Sequence, residues 1–105
     1  MPFSEIASRT LLAESASRGK FQISVRLGMP VCLEDDEWEC PVALDGLHEN
    51  LRATHGVDSW QALMLAQKLA RLLLEGFLED GGALRDVESE QPVNLAEFFA
   101  HDGSA

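Results

Sequence analysis

The sequence predicts an α+β fold: an antiparallel meander of three or four strands packed against one long α-helix, with a short helix near the C-terminus. Three observations carry this expectation. Apolar and polar residues alternate over 20–27 and again over 37–45, the pattern of half-buried strands. Residues 58–80, DSWQALMLAQKLARLLLEGFLED, repeat their apolar positions at helical spacing for about six turns. Glycine and proline separate these segments.

Residues 5–14, EIASRTLLAE, fit two patterns. Ile6, Thr10 and Leu12 would share a strand face, whereas Ala7, Leu11 and Glu14 would share a helix face. A strand is favoured because the strands that follow need a neighbour. Residues 15–19, SASRG, form a turn. Phe21, Ile23, Val25 and Leu27 then alternate with Gln22, Ser24 and Arg26, and Gly28 and Pro30 end the strand. Residues 32–37, CLEDDE, read as an acidic loop. Trp38, Cys40, Val42 and Leu44 mark one face of a second clear strand. Pro41 lacks an N–H, so it belongs at an edge or a bulge. Gly46 breaks this strand, residues 47–53 hold a short strand or an irregular crossing, and Thr54-His55-Gly56 leads into the helix.

The helix start is marked by Asp58, whose carboxylate can accept from free backbone N–H groups and favours the positive end of the helix dipole. Asp58-x-x-Gln61 has the spacing of a capping box. Gly81 and Gly82 suit a left-handed stop, while Gly76 inside the helix costs about 1 kcal/mol relative to alanine. Gln61, Gln67, Lys68, Arg71, Glu75 and Glu79 share a polar arc. The apolar arc, with Leu69 and Leu73 at its centre, is wider than the ~100° stripe a surface helix needs. Trp60, Met64 and Leu78 add apolar groups beside or within the polar side. One sheet cannot cover all of this, so the C-terminal segment or a second copy must. The expectation is a homodimer with Met64, Leu74 and Leu78 near the two-fold interface.

Residues 1–82 therefore read as a single α+β domain, and 83–105 as an acidic, weakly ordered tail. Within the tail a loop or short strand spans 83–87, and Asn94 caps a short helix over 95–100 whose Leu95, Phe98 and Phe99 form a small lid. Residues 101–105 are expected to be disordered.

A chain of 105 residues that is 46% hydrophobic can fold as one domain without staples. It has no run of 18 apolar residues, so no membrane span or membrane partner is expected. The start, MPFSEIASRT, lacks the basic residues and apolar core of a secretory signal, so the expected location is the cytoplasm. The net charge of −10 is uneven: residues 1–33 carry four basic and two acidic side chains, the rest four basic and sixteen acidic. Such acidity disfavours a nucleic-acid partner, which must be met with lysine and arginine. It permits a basic protein partner, and its plainest role is solubility.

Residues able to carry chemistry are sparse. Cys32 and Cys40 flank the acidic segment without the spacing of a zinc site, and a reducing compartment disfavours a disulfide. Cys40 with His55 or His48 is the one conceivable nucleophile–base set, and Cys40 shares the inward phase of its strand, where a thiol is inert. Residues 34–39 lack the glycine and spacing of a calcium loop, and no phosphate-cradling glycine motif precedes a helix. No catalytic residue, metal ligand or cofactor is expected. Capping accounts for Asp58 and Gln61, but His55 beside them has no evident structural task. His55, Asp58 and Gln61 are accordingly the candidate functional surface.

Trp38-Glu39-Cys40-Pro41, followed by Gly56-Val57-Asp58-Ser59-Trp60-Gln61-Ala62-Leu63, resembles the signature of a family of small uncharacterised bacterial proteins. In that family a W-x-C strand precedes a G-[IV]-D-S-x-Q-A-L helix start. The resemblance spans roughly residues 6–78 and implies a small α+β domain of bacterial origin, with no activity, cofactor or catalytic residue to carry over. The functional expectation is a non-enzymatic, homodimeric interaction module. The alternatives are an acidic binder of a basic bacterial protein, of the immunity type, and a small enzyme.

Overall fold

Residues 5–14 resolve as a strand because the following segment folds back along them. The computed structural model describes residues 3–99. In chain order its elements are β1 (Glu5–Ser15), β2 (Gly19–Gly28), β3 (Val31–Glu34), β4 (Glu37–Cys40), β5 (Val42–Asp45), β6 (Thr54–Gly56), α1 (Ser59–Glu79), β7 (Ala83–Asp86) and α2 (Leu95–Phe98). They form two antiparallel sheets, ordered β5-β2-β1-β7 and β3-β4-β6, so the fold is α+β.

The first sheet is built on the β1–β2 hairpin. Leu11 pairs with Ile23 and Ala13 with Phe21, which sets the small and large apolar groups on one face. Val25 meets Leu44 of β5 on one flank, and Ala13 meets Leu84 of β7 on the other. Leu11, Ile23, Val25, Leu44 and Leu84 are all buried on this inner face.

Two readings of the sequence change here. The alternating stretch 37–45 is not one strand: the chain breaks at Pro41 and passes from β4 in one sheet to β5 in the other. Proline has no N–H to continue a ladder, so the pattern of alternation survives while the pairing switches. The Pro41 carbonyl still accepts from Gly28 N–H at 2.9 Å, which stitches the two sheets at the corner. The acidic stretch 32–37 is not a loop but most of a tight hairpin, with Cys32 on β3 and the reversal at Asp35 and Asp36. Asp36 takes a left-handed φ of 57°, a conformation that aspartate tolerates better than most residues.

The helix α1 packs its narrowest face inward. Ala62, Ala66, Ala70 and Leu74 are completely buried, while Leu69 and Leu73 flank them and keep some exposure. Apolar width alone placed the centre of the face at Leu69 and Leu73. The small alanines decide otherwise, because they let the helix axis approach the sheets closely. At its start α1 lies against β6, where Thr54 Oγ1 donates to the Ala62 carbonyl at 2.8 Å. At its end Phe77 meets Phe21 of β2 edge to face, with ring centroids 5.8 Å apart.

Both ends of α1 follow from named residues. Asp58 Oδ1 accepts from Gln61 N–H at 2.8 Å, and Gln61 Oε1 accepts from Val57 N–H at 2.8 Å, a reciprocal cap that reaches one residue further back than the usual box. At the other end Gly82 N–H donates to Phe77 O and Gly81 N–H to Leu78 O, with Gly81 at φ 98°. That is the Schellman pattern, which ends the helix with its carbonyls satisfied.

The segment after Gly82 is not a loose tail. β7 completes the first sheet, Leu84 and Leu95 are buried, and Val93 N–H donates to Leu84 O. α2 is capped by Asn94 Oδ1, which accepts from Ala96 and Glu97 N–H, and ends at Phe98. Its expected continuation to Ala100 and the expected disorder of 101–105 lie outside the described residues. Arg9 stacks over Phe98 and pairs with Asp86 at 3.1 Å, which fastens α2 beside β1.

Asp86 gives a pH prediction. Backbone N–H groups of Ser89 and Glu88, then the Arg9 guanidinium, hold its carboxyl below the usual carboxylate range. A depressed pKa contributes stability that is complete above the ordinary range and lost as pH falls through the folded value. The stability gap between the parent and Asp86→Asn should thus be constant near neutrality and close below about pH 4. Denaturant melts across that range check it; a gap that persists in acid would mean that the charge is not the cause.

Candidate functional site

The three residues singled out from the sequence have different local partners. Asp58 and Gln61 spend their side chains on the α1 cap. His55 lies opposite Glu39 in the β4–β6 ladder and points to the outer face of the second sheet. There its Nδ1 is 3.8 Å from Glu37 Oε2 and its Nε2 is 3.7 Å from Glu39 Oε2. Both distances exceed a hydrogen bond, so the imidazole sits between two carboxylates without being fixed by either.

Cys40 faces the other way. It pairs with Thr54 one position along the ladder, so its side chain and that of His55 lie on opposite faces of the same sheet. Cys40 is fully buried, its Sγ donates to Gly28 O at 3.3 Å, and burial pushes the thiol pKa up. The thiol–imidazole pair considered from the sequence is therefore not assembled. Cys32 is exposed on β3, and both cysteines are free. No group of three or more histidine, cysteine or acidic side chains able to hold a metal occurs among the described residues.

A hollow of about 470 Å³ near the sheet corner is lined by Arg26, Asp45, His48 and Glu49 among others. Its guanidinium is already held by Asp45, at 2.6 Å, and Glu49 accepts from Gly46 N–H at 3.0 Å. These groups stabilise the corner rather than present themselves to a ligand.

Among the described residues, one feature left without a partner is the outer side of α1. Trp60 is 72% exposed and Leu72 53%, and Met64 and Leu65 are also exposed. Trp60, Met64 and Leu72 recur at multiples of four along the helix, so they form one outward row, with Lys68 within it. α2 does not reach them: Phe98 and Phe99 border a groove on the other flank, beside Gln67 and Ala70. The lid expected from the tail thus covers one side of the helix and leaves the other bare.

Of the residues expected at a dimer interface, Met64 belongs to this row. Leu78 is half-buried and packs against the core. Leu74 is excluded, because it is completely buried in the core of the single chain. Trp60 and Leu72 are the prominent members that the sequence reading underweighted. Trp60 lies beside the polar arc and Leu72 within the apolar one, so periodicity alone does not join them into one row.

The cap itself is testable. Asp58→Ala should cost about 0.5–2 kcal/mol, because it orphans the Gln61 N–H, and Asp58→Asn should cost much less, because it keeps the acceptor. Thermal or denaturant melts of the two variants decide this. Equal losses would point to a role for the negative charge itself.

No helix among the described residues is long and apolar enough to cross a membrane. A family model described as "Domain of unknown function (DUF6968)" matches residues 7–92. The match runs beyond the span of 6–78 expected from the motifs and takes in β7. No curated protein and no solved structure matches the chain.

Proposed function

The chain belongs to this family, described as Domain of unknown function (DUF6968), and from that premise we propose that it is a non-enzymatic interaction module that pairs with a second copy of itself through the outer side of α1. The observation behind this reading is the row of Trp60, Met64 and Leu72, apolar side chains held in water on a rigid helix. Each large side chain left exposed forgoes about 1.5–3 kcal/mol of burial, and aromatic anchors on a helix face are the usual centres of association. The proposed setting is a bacterial cytoplasm, where ions screen charges beyond about 8 Å and limit repulsion between two acidic copies.

Light scattering coupled to size exclusion tests the reading. The parent should run at twice the chain mass at micromolar concentration, and Trp60→Lys with Leu72→Glu should run at the mass of one chain with its melting little changed. A parent of single-chain mass, unchanged by concentration, would sink the dimer.

A second reading is favoured by a separate observation. Between Arg26 and Arg52 the sequence has no lysine or arginine and seven acidic side chains. This supports an acidic binder of a basic protein, of the kind an immunity protein forms with its toxin.

A further inference from the structure

We propose that the free edge of β3 is a strand-docking site for an extended, basic segment of another protein. This rests on the second reading above and gives it a place on the surface.

β3 is the outer strand of its sheet, bonded to β4 on one side. All four of its residues, Val31–Glu34, are exposed. No backbone hydrogen bond from another described segment occupies its far side. An edge of this kind offers unpaired N–H and C=O groups to an incoming strand. Short strands and charges ordinarily protect such an edge. Here the protection is incomplete, because Val31, Leu33 and the preceding Met29 hold apolar side chains in water along it.

The occupant is selected by charge. The hairpin tip beside the edge carries Glu34, Asp35 and Asp36, none of which pairs with a cation among the described residues. A second copy would bring no cation to the tip: its own β3 would run antiparallel along the edge with Glu34 and no lysine or arginine, and each copy carries a net charge of −10. The edge therefore suits a basic strand better than a second copy, and self-association is left to α1. A strand that alternates apolar and basic residues satisfies every feature at once. Its backbone completes the ladder, its apolar side chains cover Val31 and Leu33, and its cations meet the tip.

The probe is a synthetic peptide of alternating lysine and valine, compared with the same peptide methylated on alternate backbone nitrogens and with a glutamate–valine counterpart. Anisotropy of a labelled peptide reads affinity, and backbone amide shifts of the protein read the location. The lysine–valine peptide should bind and shift the amides of Val31–Glu34. N-methylation should weaken it about tenfold or more, because it removes ladder donors while keeping every charge. Glu34→Lys with Asp35→Lys should weaken it similarly, and Glu79→Lys, on α1, should not. Equal binding of the methylated peptide, or shifts confined to another surface, would overturn the edge site while leaving an acidic binder. No binding of the basic peptide at millimolar concentration would overturn both.

Discussion

Truncation of Leu74 to alanine is expected to destabilise the protein by about 2–5 kcal/mol, the range for a fully buried leucine whose cavity cannot close. Leu74 has no exposed surface and ends the inward row that begins at Ala62. The cost should exceed that of Leu69→Ala, because Leu69 is only partly buried and its neighbours can relax toward solvent. Denaturant melts of the two variants, analysed at equal slope, give the comparison. If Leu69→Ala costs as much as Leu74→Ala or more, the helix is rotated away from the alanine row and the outward row of Trp60, Met64 and Leu72 falls with it. The measurement thus tests the basis of the proposed interface as well as the core.

The rotation of α1 also marks how far the sequence could be read. Periodicity located the helix, both caps and the strand faces of Phe21, Ile23, Val25, Cys40 and Val42, because local hydrogen bonding and alternation decide those features. The phase of the helix depended on a tertiary fact: residues as small as Ala62, Ala66 and Ala70 are where another backbone can come close. Hydrophobicity ranks leucine above alanine, so it pointed to Leu69 and Leu73. The split of 37–45 between two sheets was hidden for a similar reason. Pro41 announced an interruption, but which sheet each half joins is a matter of long-range pairing. The tail was underestimated because β7 is only four residues long, and its pairing with β1 is invisible to a local pattern. As for the candidate site, His55, Asp58 and Gln61 stood out by sequence distinctiveness. Distinctiveness turned out to mean capping for two of them, and the exposed row on α1 became legible only once the covered side was known.

Gly56→Ala is expected to cost about 3 kcal/mol, at the upper end for an overpacked position. A Cβ built at Gly56 would lie 2.6 Å from Ala62 N and 3.0 Å from the Gln61 carbonyl carbon. Those are backbone atoms of the first turns of α1, so no rotamer change can relieve the clash. Either β6 or the helix start must move. Movement would strain the Thr54 hydroxyl bond to Ala62 O and the Asp58–Gln61 cap, which hold the same junction. Gly76→Ala, inside α1, supplies the opposite case. A Cβ there meets nothing within 4 Å, so alanine should stabilise by about 0.5–1 kcal/mol through helix propensity alone. Melts of the two variants beside the parent should therefore shift in opposite directions. A Gly56→Ala protein as stable as the parent would mean that the sheet and helix do not meet backbone to backbone at this point. The close approach that fixes the orientation of α1, and with it the outward row, would then be lost.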